Sequence, residues 1–260
     1  MKTILTLLTG TLLVVSAQAV AQPNIHASDH AVRALGKRFD AQSGKVVEGY
    51  AILRYKPGHA KPDHAGGPKA GGSSDCFAPL ANGVVWKTVE PAVIDPSNAF
   101  GISDTVMHSE YDLSMAVWDD EVAFPLFPLI EMGEVDVANI GVVVNGVNEI
   151  AFGNIAEPNV IAVTYVWGIW GGRPKDRQIV EYDQLYDDVD FAWSANPNGA
   201  EAGQMDFRNI AAHENGHGIG LGHPDNTCTD ETMYAFATEG EDIKRDLNTG
   251  DIAGVKSLYE

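Results

Sequence analysis

"HENGHGIGLGHPD" (residues 213–225) places three of the chain's eight histidines within eleven residues, on a frame punctuated by glycine. His213 and His217 are four apart, so on a helix both imidazoles leave the same face, one turn apart. Two neutral imidazoles so placed are half of a zinc site, and a catalytic zinc takes three protein ligands and keeps one position open. A third ligand from the next helical turn would be crowded, so the chain must leave the helix and double back. Gly220 permits that exit, because glycine accepts positive φ at no steric cost. His223 arrives after the bend. Glu214 follows the first histidine and points beside the ion, where it can take a proton from a water acidified by the metal.

Outward from this stretch, a helix should begin near Asp206 and carry "FRNIAAHENGHGIG", and "GDIAGVKSLYE" should form a closing helix. "SDTVMHSEYDLSMAVW" (103–118) predicts a helix with Ser103 at its N-cap and Val106, Tyr111, Leu113 and Val117 among its apolar positions. Residues 84–94 predict a strand interrupted by Pro91. Further strands are expected at 137–144, 149–155, 160–167 and 178–186, where apolar runs are separated by Asn, Gly and Pro. Near the amino end, "HAVRALGKRFD" has helix-like composition and "VVEGYAILRY" is strand-like. No internal repeat is present.

The spacing of His213, Glu214, His217, Gly220 and His223 resembles the pattern H-E-x-x-H-x-x-G-x-x-H of the metzincin metallopeptidases. Met233, ten residues beyond His223 in "ETMYAF", is similar in placement to the methionine that lies in a tight turn beneath the metal in that clan. Within the clan, "AAHENGHGIGLGH" and "GDIAGVKSLYE" look like segments of the matrixins, in particular of secreted prokaryotic matrixin-like proteins. The resemblance implies an α+β catalytic domain: a twisted, mostly parallel five-stranded sheet with an active-site helix, a Met-turn and a C-terminal helix. It also implies one catalytic Zn2+ and a polypeptide substrate. Asn209, Tyr234 and Ala162 match positions that line the substrate pocket. Tyr234 directly follows the methionine, whereas astacins and serralysins carry a metal-facing tyrosine two residues after it, where this chain has Ala235.

Other positions depart from the matrixin pattern. The second, structural zinc of animal matrixins should be lost, because Val163 and Leu185 stand where two of its histidines would be. Between Cys76 and the motif, His108 is the sole histidine. Asp183 and Asp187 resemble calcium ligands, although an acidic turn is often just solvated.

The first 21 residues read as a secretory signal peptide: Lys2, an apolar run from Ile4 to Val15, then small-residue cleavage sites at Ala17-Gln18-Ala19 or Ala19-Val20-Ala21. An exported protein without a membrane anchor is therefore expected. Residues 22–75 carry eight Lys/Arg against five Asp/Glu, and residues 76–260 carry eight against thirty-one. So acidic a domain repels nucleic acid and anionic membranes, so neither is an expected partner. The basic segment, ending in the Gly/Pro-rich linker "KPGHAKPDHAGGPKAGGSSD", should be a prosegment removed on maturation; His59 and His64 within it read as solvated. The catalytic domain is then 76–260, expected to act as a monomer.

Cys76 stands where a prosegment would meet that domain, which makes a matrixin-like thiolate switch one reading. The surrounding "SDCFAPL" lacks the rest of that motif, and an even cysteine count in an exported chain favours a Cys76–Cys228 disulfide. Two functions follow from these readings: a secreted zinc endopeptidase with Glu214 as general base, or a non-catalytic secreted module that keeps zinc for folding. A purely structural zinc site has no use for Glu214, which favours the enzyme.

Overall fold

The computed structural model describes residues 31–58 and 76–260. The signal segment 1–21 and the linker histidines His59 and His64 lie outside the described residues. Eleven strands and three α-helices are present among the described residues. The strands are β1 (Val32–Asp40), β2 (Lys45–Tyr55), β3 (Ala78–Pro79), β4 (Ala92–Ile94), β5 (Ile130–Met132), β6 (Asn148–Gly153), β7 (Val160–Ile169), β8 (Gln178–Asp187), β9 (Trp193–Ser194), β10 (Met205–Asp206) and β11 (Leu221–Gly222). The helices are α1 (Asp104–Asp119), α2 (Phe207–Gly218) and α3 (Thr249–Tyr259).

Seven strands form one sheet in the order β1-β2-β7-β8-β6-β4-β5. The five strands from residue 92 onward match the expected sheet, with β5–β4, β4–β6 and β6–β8 parallel and β7–β8 antiparallel. The complete sheet is larger and more mixed than expected, because β1 and β2 add two further antiparallel pairings at the β7 edge. The helix-like segment near the amino end is in fact β1. Its Ala, Leu, Lys and Arg favour a helix locally, but a full ladder to β2, with a bulge near Gly36, overrides that propensity. The run 137–144 is a turn and not a strand. Asp136 accepts the Ala138 amide, and backbone bonds from Asn139 to Asp136 and from Val142 to Asn139 coil the segment despite its valines. Of 84–94, only Ala92–Ile94 is a strand.

β7 is built mainly from β-branched and aromatic residues, β8 mixes such residues with acidic and amide side chains, and both are buried almost throughout, as expected of central strands. β2 joins the same core. Ile52 and Leu53 are fully buried, each worth roughly 1.5–3 kcal/mol against exposure. Val47 packs with Trp167 and Val180.

α1 buries Met107, Tyr111, Met115 and Trp118 and leaves Val106 and Leu113 exposed; Ser103 is its N-cap residue but makes no side-chain cap bond. It holds α2 through a buried polar network in which the Tyr111 hydroxyl lies 2.9 Å from the side-chain oxygens of both Gln184 and Asn215, and Asn215 donates to Ser114. The Trp118 indole adds a bond to the Ala212 carbonyl.

Cys76 and Cys228 are joined in a disulfide, with Cα atoms 5.5 Å apart. Cys76 therefore has no thiolate to offer a metal, and the switch reading falls.

Candidate metal centre

Asp206 caps α2 by accepting the Asn209 amide at 2.9 Å, and Arg245 closes on the Asp206 carboxylate from the other side. The cap starts the helix so that His213 and His217, one turn apart, leave it on one face. At Gly216 a Cβ would collide with Met233 Sδ and stand 2.9 Å from Trp118. That glycine lets the methionine lie directly beneath the helix. Gly220 has φ +105°, and a Cβ there would stand 2.9 Å from the Val84 carbonyl. This turn reverses the chain into β11 and brings His223 back to the first two histidines.

The three possible ligand atoms of His213, His217 and His223 lie within 4.8 Å of one another, and this is the metal-capable cluster found among the described residues. His213 Nδ1 is 2.7 Å from the Thr232 carbonyl, and His217 Nδ1 is 2.8 Å from the Leu221 carbonyl. A carbonyl can only accept, so in both rings Nδ1 carries the proton and Nε2 presents a bare lone pair. His217 Nε2 is buried without a partner, and His213 Nε2 is 3.2 Å from His223 Nε2. Two nitrogens about 2.0–2.1 Å from one tetrahedral zinc are separated by about 3.3 Å, so the donor set fits that ion. Burial keeps the rings neutral, pushing His213 and His223 well below the usual histidine range and His217 down to about 3.

Glu214 is fully buried beside this cluster. The Thr164 hydroxyl donates to its Oε2 at 2.6 Å, while Oε1 has no partner. Burial raises its carboxyl to about 7, opposed by the positive charge of Arg54 and by the Thr164 bond.

Met233 sits in a tight turn closed by the Tyr234 amide on the Glu231 carbonyl. Asp251, in the first turn of α3, fixes this turn by accepting the Thr232 and Met233 amides at 2.6 and 3.0 Å. Asn209 is buried, and its side-chain oxygen accepts the Lys244 amide, so it positions the segment behind the site. Tyr234 lies beneath the Lys244 ammonium, 5.4 Å from the ring centroid. Ala162 is fully buried in β7.

Asp183 and Asp187 lie apart from the histidine cluster, and their carboxylates are taken up by backbone amides. Asp183 accepts those of Gly141 and Glu149, and Asp187 those of Ile155, Val189 and Asp190. Val163 and Leu185 face each other across β7 and β8 within an apolar cluster, so hydrocarbon packing fills the place of a second metal site. His108 is on α1, paired with Asp112 and the Ile130 carbonyl.

Two residues without a motif were missed by sequence reasoning. One is Thr164, the donor to Glu214. The other is Arg54 of β2, fully buried, whose guanidinium donates to the Tyr234 carbonyl at 3.2 Å. Its Nε and second terminal nitrogen are buried without partners, and burial lowers it to about 10. β7 is not an open edge, because β2 pairs along it from Glu48↔Gly168 to Tyr55↔Val160.

Residues 175–260 match the matrixin family model (Peptidase_M10). No curated protein matches the chain.

Proposed function

We propose that a protein whose last third is matrixin-like is a secreted zinc endopeptidase, with His213, His217 and His223 as metal ligands and Glu214 as general base. The observation that carries this reading is the pairing of two carbonyl-oriented imidazoles with a carboxylate that has one free oxygen. A zinc ion held there supplies Lewis acidity toward water and toward a scissile carbonyl.

The chain's own residues supply the remainder. Thr164 fixes the Glu214 carboxylate by one oxygen and leaves the other to receive a proton from water. Glu214 can take that proton on its unpartnered Oε1 and return it to the departing amine. Export rests on the signal-like first 21 residues, and their removal is part of the proposal.

The test is Glu214→Ala in the mature protein. Casein cleavage should fall by about 10²–10⁴-fold with close to one equivalent of zinc retained. Cleavage at the wild-type rate would remove Glu214 from the mechanism, and insensitivity of the wild type to a chelator would remove the metal.

A further inference from the structure

We propose that the pocket between α1 and β5 is a docking site, separate from the metal centre, for a lysine- or arginine-bearing stretch of the substrate polypeptide. That the docked chain is a substrate rests on the peptidase reading above; the pocket and its charge do not.

The pocket is built from a helix and the free end of the sheet. β5 is the last strand and pairs with β4 alone. The segment "FPLFPLI" (124–130) leads into it, anchored by the buried Leu126 and Phe127 and stiffened by two prolines. His108 ties α1 to this strand, with Nε2 3.2 Å from the Ile130 carbonyl and Nδ1 3.2 Å from the Asp112 carboxylate. Between helix and strand lies a pocket of about 350 Å³, with Met115, Phe127 and Ile130 among its apolar walls and the carboxylates of Asp112 and Asp119 in its lining. Ligand pockets occupy about 300–1,000 Å³, so a side chain fits. Leu129, at the rim, is 96 % exposed, although its neighbours in the segment are buried.

Charge decides the occupant. No lysine or arginine lines the pocket. Asp119 accepts the Leu126 amide with one oxygen, and Asp112 pairs with His108. Partial burial raises both carboxyls, so each gains from a cation brought beside it. A lysine or arginine side chain matches both features of the site, because its aliphatic stem packs on apolar walls while its head reaches carboxylates. Residues 76–260, with thirty-one Asp/Glu against eight Lys/Arg, also draw a cationic polypeptide towards this surface.

The test uses the zinc-loaded full chain and a fluorescein-labelled peptide of alternating lysine and valine, read by anisotropy. The peptide should bind, and its counterpart of alternating glutamate and valine should not. Asp112→Asn combined with Asp119→Asn keeps an oxygen for the Leu126 amide and should weaken binding about tenfold. Ala116→Trp keeps both charges but fills the pocket, and should weaken binding as much. The secreted protein should show a KM for casein about fivefold lower than for casein with acetylated lysines, and the double variant should treat the two alike.

Binding unchanged in both variants would overturn the inference while the peptidase reading stands. Loss on charge removal with binding unchanged in Ala116→Trp would overturn it too, since the acidic surface at large would then be the attractant. A preference for unmodified casein that survives in the double variant would place cation recognition elsewhere, with the same consequence. A wild-type dimer dissolved by Leu129→Lys would make the occupant a second copy of this chain and likewise overturn it. If both variants lose the peptide but no form cleaves casein, the peptidase reading fails and the pocket stands as a site for a cationic polypeptide. Should Ala116→Trp fail to fold, Leu129→Lys, at an exposed position, should repel the same peptide and decides in its place.

Discussion

The last third of the chain and its amino-terminal hairpin meet at one site but are written in different ways. In residues 206–233, side chains of particular chemistry recur at helical spacing, and each carries a role that can be read without neighbours. Residues 32–55 contain no motif, yet they complete the sheet and place Arg54 beside Glu214. A site made by side-chain identity is therefore legible locally. A site made by backbone pairing is not, because any extended segment of suitable bulk can supply the same hydrogen bonds.

The sharpest way to break this contrast is to remove a ligand from the legible side. His217→Ala should abolish casein cleavage and leave no zinc bound through gel filtration. The hairpin should remain paired, because β2 is anchored by Ile52, Leu53 and Val47 rather than by metal. Amide hydrogen exchange across Glu48–Tyr55 would then match wild type. Rapid exchange there would show that the metal centre organises the hairpin and that the two regions are not separable.

Cys76–Cys228 fastens the start of the 76–260 segment to the loop five residues beyond His223. Its sequence separation of 152 residues gives, in the loop-entropy model, about 5 kcal/mol. Cys228→Ser paired with Cys76→Ser should lower the denaturation midpoint accordingly, with a larger m-value because the unfolded chain without the cross-link is more expanded. An unchanged midpoint would mean that the reduced chain is already held by Asp251 and Glu231, which join the methionine turn to α3.

Much of the fold followed from pattern: α2 with its Asp206 cap, α3, β6, β7 and β8 lie within a few residues of their predicted limits. The failures share a cause. "HAVRALGKRFD" favours a helix locally but is captured by its partner strand, and the valines of 137–144 are coiled by Asp136 and by bonds to the distant Asp183 carboxylate. Thr164 and Arg54 lacked any local signal, since each gains its role from a partner at least fifty residues away in sequence. Val163 could be read as a missing ligand, but the apolar cluster it joins could not.

Thr164 offers a finer test, because it sits on β7, which both regions share. Thr164→Val removes the bond to the Glu214 carboxylate at similar volume. A hydrogen bond to a charged group contributes about 1.5–3 kcal/mol, so kcat should fall roughly ten- to hundredfold. KM and zinc content should not change. A rise in KM with kcat preserved would make Thr164 part of the peptide groove and not a support for the base.

The smallest expected effect lies where the hairpin's turn meets β8. Glu181 is fully buried, with its Oε2 accepting the amides of Asn145 and Gly146. Burial pushes its carboxyl up to about 7, and the negative charges of Glu149 and of Asp40, at the end of β1, push the same way. A carboxyl raised in the folded state favours the protonated form, so its contribution to stability is complete below the unfolded value near 4.5 and is lost as pH rises through about 7. The slope from one such group is at most about 1.4 kcal/mol per pH unit. Glu181→Gln keeps an oxygen for the two amides and carries no charge, so urea midpoints between pH 5 and 8 should flatten relative to wild type. Asp40→Asn should move the decline to slightly lower pH without removing it, because only a neighbouring charge is lost. Linker cleavage followed by departure of the hairpin should shift the decline in the same direction as Asp40→Asn. If the decline stays in place after the hairpin has left, the Asp40 charge does not reach Glu181, and the two regions are electrostatically independent at this corner of the sheet.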